Sequence, residues 1–460
     1  MAGIHEECGL FGIYSPSVRE LAPVVYAGLY ALQHRGQDSC GIAVSGEGGI
    51  TLRKDLGLTG EVFTPETLSK LGRGRIAAGH VRYGASNKND RENAQPILTK
   101  HPACTLAACH NGSLVNGDEL RRVLENDNAI FHTASDAEII SYIITRHCAK
   151  GKTKEEAVLR ATDSLEGAFS LILLFSDRLI AVRDKRGFRP LCYGITQSGE
   201  YIVASESCAL DQVGAKFIRD IKPGEVVIFG ETGVKSLFSE KRAMSSPCVF
   251  EYIYFARPDS VIDGYGVQQA RIKAGELLAA EHPCDADVVI GVPDSGIDAA
   301  VGFSKAAKIP YGIGFIKNKY TGRAFIEPET KLREQIIKIK LNPVAETVRG
   351  KRVVMIDDSI IRGTTSARII NLLRESGARE IHVRITSPPF IYPCFYGTDI
   401  DSRENLIANN HSIDELCQII GADSLGFLSV KSLPLLFGSQ KTICSACFDG
   451  DYPTKTPVLK

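Results

Sequence analysis

Val353-Val354-Met355-Ile356-Asp357-Asp358-Ser359-Ile360-Ile361-Arg362-Gly363-Thr364-Thr365 is the stretch that decides the fold. Its apolar start predicts a buried strand over Arg352–Ile356 that delivers two adjacent carboxylates at its carboxyl end, where open α/β sheets bind ligands. A short loop ending in Gly-Thr-Thr then opens a helix predicted over Ser366–Glu375. Backbone amides and hydroxyls at such a helix start hold phosphate, and paired acids suit Mg²⁺ or ribose hydroxyls. Two acids alone would read as a solvated turn and a helix cap. Two acids plus Gly-Thr-Thr after a fully apolar strand read as a phosphate and metal site.

The surrounding chain has the same rhythm. Helices are expected over Gln268–Glu281 and Ile297–Lys308, and strands over Asp287–Val292 and Ile381–Ile385. Apolar strands alternating with helices indicate βαβ units and a parallel sheet. Toward the N-terminus the pattern changes. Leu10–Tyr14, Ile76–Arg82, Thr105–His110 and Ala168–Phe175 are brief strand-like runs. Ser135-Asp136-Ala137-Glu138 reads as a capping box opening a helix over Ile139–His147, and Lys154–Leu165 is a second helix. Strands clustered against helices suggest a layered α+β unit. The polar stretch Lys235–Pro247 separates the two rhythms. With 460 residues, at about 150 per domain, two or three domains are expected.

Composition limits the functions open to such a chain. Lys+Arg and Asp+Glu both total 54, so there is no basic surplus for general nucleic-acid or membrane binding. No apolar run approaches the roughly 18 residues of a membrane span. The start, Met1-Ala2-Gly3-Ile4-His5-Glu6-Glu7, lacks the features of a secretory signal. Thirteen cysteines, an odd number, suggest free thiols and metal ligands in a cytoplasmic setting. Cys444-Ser445-Ala446-Cys447 alone fits zinc, redox or chance.

The Val353–Thr365 stretch resembles the 5-phosphoribosyl-1-pyrophosphate (PRPP) signature of type I phosphoribosyltransferases. The resemblance implies that Asp357 and Asp358 face ribose and Mg²⁺, that Arg362, Gly363, Thr364 and Thr365 hold the 5-phosphate, and that Ser359 is among the substrate-binding residues. Gly291-Val292-Pro293-Asp294-Ser295-Gly296 resembles the pyrophosphate-side turn, making Ser295 a further candidate near the metal. Lys317-Asn318-Lys319-Tyr320-Thr321-Gly322-Arg323 resembles the mobile loop that closes over PRPP. Lys317, Lys319, Tyr320 and Arg323 would then meet the departing pyrophosphate. Lys319 stands where the family often has Arg, giving a point charge instead of a bidentate fork.

A second resemblance lies in the first half. Glu6-Glu7-Cys8-Gly9-Leu10-Phe11-Gly12, Gly79-His80-Val81-Arg82-Tyr83-Gly84, His110-Asn111-Gly112-Ser113 and Ser135-Asp136 supply a thiol, a cation, an oxyanion donor set and a carboxylate. These complement a free amino acid with a reacting carbonyl. The set resembles the class II glutamine amidotransferases. It implies Cys8 as nucleophile, Arg82 on the glutamine carboxylate, Asn111 and the Gly112 amide as oxyanion hole, and Asp136 on the substrate amine. His34-Arg35-Gly36-Gln37-Asp38 also matches and reads as site scaffolding.

Together the two halves resemble the glutamine PRPP amidotransferase (amidophosphoribosyltransferase) family, in the subgroup with a propeptide and an iron–sulfur cluster. The implied fold is an α+β N-terminal-nucleophile glutaminase (a four-layer αββα sandwich) over residues 8–240. An α/β type I phosphoribosyltransferase domain with a central parallel sheet and a C-terminal extension follows over residues 241–460. The implied reaction hydrolyses glutamine through a γ-glutamyl thioester and passes ammonia to C1 of PRPP. Its products are 5-phosphoribosylamine, glutamate and pyrophosphate, in the first step of de novo purine (IMP) biosynthesis. The nucleophile's own α-amine would be the general base, so residues 1–7 would be removed as a propeptide. Cys248, Cys394, Cys444 and Cys447 meet the four-cysteine requirement of a [4Fe–4S] cluster, with a structural zinc site as the rival. The family further implies purine nucleotide inhibitors and a homotetramer. The alternatives are another class II amidotransferase, whose acceptor half would lack the 353–365 signature, and a PRPP-sensing regulator without turnover, which would need no glutaminase set.

Overall fold

The computed structural model describes residues 8–83, 91–239, 241, 243–318, 341–400, 402–438 and 442–456. The expected propeptide, residues 1–7, and Lys319, Tyr320 and Arg323 lie outside them. Among the described residues no helix is long and apolar enough to cross a membrane.

The first half contains the strands β1 (Gly9–Glu20), β2 (Ser39–Gly46), β3 (Gly49–Leu56), β4 (Arg73–Arg82), β5 (Ile97–His101), β6 (Cys104–Leu114) and β7 (Gly167–Leu174). It continues with β8 (Leu179–Arg183), β9 (Cys192–Ile195), β10 (Tyr201–Ala204), β11 (Lys216–Asp220), β12 (Glu225–Gly230) and β13 (Gly233–Phe238). Among the described residues these form a seven-stranded sheet, ordered β11-β9-β10-β1-β4-β2-β3, and a six-stranded sheet, ordered β13-β12-β8-β7-β6-β5.

Strand periodicity makes them a sandwich. Successive side chains leave a strand on opposite faces, and both faces of these sheets are apolar. On β1, Phe11 and Ile13 point to the helix Ala22–Ala31, while Leu10 and Tyr14 point to the other sheet. On β6, Leu106 and Ala108 meet the helices Asp136–Ala149 and Lys154–Ser164, while Ala107 and Cys109 face β1. A shared core therefore lies between the sheets and a helix layer covers each outer face, giving the expected αββα order.

The second half builds a parallel sheet ordered Val288–Gly291, Arg352–Asp357, Glu380–Ile385, Ser424–Phe427. Its central strand is apolar on both faces because both are covered. Val354 and Ile356 pack with the helices Val267–Glu281 and Gly296–Ala307, and Val353 and Met355 pack with the helix Thr364–Glu375.

Three expectations are corrected. Glu138 closes no capping box: its carboxylate accepts from the His132 and Thr133 amides at 3.0 and 2.8 Å, and Ser135 Oγ accepts from Ala137 N instead. The run expected over Thr105–His110 extends to Leu114, because β6 remains paired with β7 as far as Leu114 opposite Gly167. Asn111 and Gly112 therefore sit on a strand. The polar stretch from Lys235 begins inside β13, an exposed edge strand paired with β12.

Candidate active sites

The sheet in the second half ends in a cavity of about 600 Å³. Its floor is the strand end Asp357-Asp358 and the loop that runs to Thr365, and Pro293–Ser295 and Lys317 form a wall. Gly363, with φ 75°, caps the helix Thr364–Glu375, so the helix begins two residues earlier than expected, and Thr364 and Thr365 are exposed in its first turn. The sequence-predicted residues Ser295, Lys317, Asp357, Asp358, Ser359, Arg362, Gly363, Thr364 and Thr365 all line this one cavity.

Burial governs the electrostatics of the acid pair. Asp357 and Asp358 are each only 8% exposed. Burial first, then the neighbouring carboxylate, pushes Asp357 well above the usual carboxylate range. Asp358 is also raised by burial, against the lowering effect of the Ser295 and Ser359 hydroxyls that it accepts from. Among the described residues no three His, Cys, Asp or Glu side chains close around one point. Paired carboxylates beside a phosphate site are the donor set that suits Mg²⁺ or ribose hydroxyls.

Other residues lining the cavity were not singled out for it from the sequence. Arg271 is buried and donates to the carbonyls of Tyr252, Tyr254 and Ala256 at 3.0, 2.9 and 2.7 Å, fixing the segment that brings Tyr254 and Arg257 to the cavity wall. His34, expected from the sequence as scaffolding of the glutamine site, also lines this cavity from the first half of the chain.

In the first half, Cys8 lies just before β1 and is half-buried. Gly9 pairs with Val81, so Cys8 and Arg82 are the next residues outward on the two antiparallel strands. Across the sandwich, β6 presents Asn111 and Gly112. Asn111 is 1% exposed, yet its side-chain oxygen and nitrogen both lack a hydrogen-bond partner among the described residues, as does Nη1 of Arg82. An unmatched buried amide costs about 1–3 kcal/mol, so such a group invites a ligand. Asp136 accepts from Leu114 N at 2.9 Å and is raised by burial. Arg35 donates from Nε to the Cys8 carbonyl at 3.0 Å, in keeping with the scaffolding read from His34–Asp38.

Cys248, Cys394, Cys444 and Cys447 come from three segments and ring one pocket with Phe188, Phe250 and Tyr396. None of them is in a disulfide. Burial and the neighbouring thiols push Cys444 and Cys447 well above the ordinary thiol value.

A glutamine amidotransferase domain family matches residues 81–212, and a phosphoribosyl transferase domain family matches residues 266–386. An amidophosphoribosyltransferase of Methanocaldococcus jannaschii is 46% identical over 98% of this chain and 99% of its own length. That of Bacillus subtilis is 46% identical over 98% and 95%. Among solved structures, one described as the allosteric regulatory enzyme of purine biosynthesis matches with a TM-score of 0.92 at 46% identity, covering 98% of each chain. The glutamine PRPP amidotransferase of B. subtilis complexed with ADP and GMP matches with a TM-score of 0.90 at 46% identity, covering 97% of this chain and 98% of that one.

Proposed function

This chain belongs to the amidophosphoribosyltransferase family, and on that premise we propose how its own residues divide the work. The reaction is glutamine hydrolysis coupled to transfer of ammonia to C1 of PRPP, which yields 5-phosphoribosylamine, glutamate and pyrophosphate and opens purine synthesis.

In the glutaminase half, Cys8 attacks the glutamine amide carbon, and water later releases glutamate from the thioester. Removal of residues 1–7 frees the Cys8 α-amine, whose ordinary pKa of about 7.7–8.0 suits it to take the thiol proton near neutrality. Intact mass of the mature chain checks this, and a mature chain that kept Met1 and still hydrolysed glutamine would contradict it. Arg82 pairs with the substrate carboxylate and Asp136 with its ammonium. Asn111 Nδ2 and the Gly112 amide stabilise the oxyanion.

Asn111 carries this assignment, because a fully buried amide without a partner among the described residues is a donor open to something that binds. Asn111→Leu removes the donor at nearly constant volume. Glutaminase kcat is expected to fall by about 10²–10³-fold, the usual effect of losing one oxyanion donor, with little change in the KM for glutamine. An unchanged kcat would remove Asn111 from the site.

In the phosphoribosyl half, Arg362–Thr365 bind the 5-phosphate and Asp357 and Asp358 orient the ribose and hold Mg²⁺, with Ser295 beside them. Held there, Mg²⁺ would supply positive charge against the pyrophosphate leaving group. Lys317, with Lys319, Tyr320 and Arg323, meets the pyrophosphate. Ammonia in bulk water is largely protonated and non-nucleophilic, so the transfer needs a water-free passage.

The cysteine quartet is read as the ligand set of a structural [4Fe–4S] cluster. A tetrahedral zinc draws its four sulfurs to about 2.3 Å from one point. The four thiols line one pocket, and four cysteine ligands also meet the requirement of a [4Fe–4S] cluster. Iron and acid-labile sulfide in protein purified without oxygen decide the matter, and stoichiometric zinc would refute it. The B. subtilis relative was solved with ADP and GMP. Purine nucleotide inhibition, a homotetramer and a cytoplasmic setting complete the reading, to be checked by inhibition assays, solution mass and fractionation.

A further inference from the structure

Glu251 sits in the second half of the chain and is 1% exposed, yet its arginine partners among the described residues come from the first half. Arg35 grips it from Nη1 and Nη2 at 2.9 and 2.8 Å, and Arg189 reaches it from Nη1 at 3.4 Å. Both guanidiniums are fully buried. Arg35 is also paired with Glu206 at 2.7 Å, so two buried cations meet two buried anions. Removing one member of such a set strands a charge in low dielectric, and the set therefore specifies geometry strongly.

Each arginine has a second task, on opposite sides of the glutamine site. Arg35 holds the Cys8 carbonyl. Arg189 donates to the Tyr396 carbonyl from Nη2 and Nε at 2.7 and 3.2 Å, and to Thr398 Oγ1 at 3.4 Å. Between those two anchored residues lies Gly397, with φ 116°. A Cβ there would lie 3.2 Å from both the carbonyl carbon and the Cα of Gly112. Gly112, with φ 127°, is closed in on its other side too, since a Cβ on it would lie 2.2 Å from the Ala168 carbonyl oxygen. The Gly112 backbone is thus set between a strand of its own sheet and a turn from the far end of the chain.

We propose that Arg189, held by Glu251, seats Gly397 against Gly112 and so fixes the oxyanion side of the glutamine site from the second half of the chain. The proposal rests on reading Cys8 as nucleophile and Gly112 as oxyanion donor. Arg189 is a positioning residue, since it acts through backbone that it holds. The clamp also spans the site: Glu251 ties the strand of the nucleophile and the turn behind the oxyanion donor to one carboxylate.

The test uses the full-length enzyme with two variants. Gly397→Ala pushes a methyl group toward Gly112, and Arg189→Lys keeps the charge but loses the forked grip on Tyr396 and Thr398. In both, glutaminase kcat is expected to fall by about 10²-fold, the scale of a misplacement near 1 Å. The KM for glutamine and synthesis from ammonia should keep their parent values. Should Gly397→Ala fail to fold, Arg189→Lys decides. In Arg189→Lys, parent-rate hydrolysis, a change confined to KM, or equal loss of the glutamine- and ammonia-dependent reactions each overturns the clamp. A Cys8→Ala enzyme that still hydrolysed glutamine would instead overturn the site assignment beneath it.

Discussion

Cys8→Ala is expected to abolish glutamine use, with a fall of about 10⁵–10⁶-fold in glutaminase kcat, the scale on which removal of a nucleophile acts elsewhere. The same protein should still make 5-phosphoribosylamine when ammonia is supplied at high concentration and alkaline pH. The split follows from the architecture. Cys8 lies at the edge of a two-sheet sandwich whose core is its own, whereas the phosphoribosyl cavity is floored by a separate parallel sheet. Losing a half-buried thiol removes the covalent step and leaves that sheet intact. Comparing the two nitrogen sources on one preparation is the measurement, and equal loss with both would mean that the two chemistries share one site.

The double change Asp357→Asn with Asp358→Asn should have the opposite signature. Synthesis is expected to fall by about 10³-fold with either nitrogen source, since several kcal/mol of charge stabilisation is removed. PRPP-independent glutaminase should persist. Stability supplies an independent readout in metal-free buffer. Both carboxyls are raised above their ordinary value by burial, so the folded protein takes up their protons more readily than the unfolded chain. Their contribution is therefore most favourable at low pH and is lost as pH rises through the raised folded values. The asparagine variant lacks this loss and should melt at the same temperature as the parent or higher at neutral pH, with its relative advantage shrinking as the buffer is acidified. A variant that kept synthesis would remove the acid pair from the site.

How much of this was legible depended on how local each signal was. Val353–Thr365 could be read because a fully apolar strand, an acid pair and a helix start follow one another without a break, and each has a physical meaning alone. Asn111 and Gly112 were legible as residues but not as strand, because what extends β6 is its pairing with β7 more than fifty positions later, out to Leu114 opposite Gly167. Residues 235–238 of β13 read as part of a polar connecting stretch because one exposed edge of a sheet is polar, and only the partner β12 makes them a strand. Least visible were the buried charges. Arg35 meets Glu206 and Glu251, and Arg189 meets Tyr396, across 171, 216 and 207 positions of sequence. No periodicity announces such pairs. His34 was legible as a member of the His34–Asp38 motif but not as a lining residue of the phosphoribosyl cavity, and no local pattern marks Arg271 as one.

Following the amide nitrogen itself tests the coupling most directly. The full-length enzyme would be given amide-¹⁵N glutamine, PRPP and Mg²⁺ in unlabelled ammonium too dilute to support the ammonia-dependent reaction, and the phosphoribosylamine trapped and weighed by mass spectrometry. The account expects the product to carry the isotope at the enrichment of the glutamine amide. Product that is unlabelled, or whose label falls in proportion to the ammonium in the buffer, would contradict it.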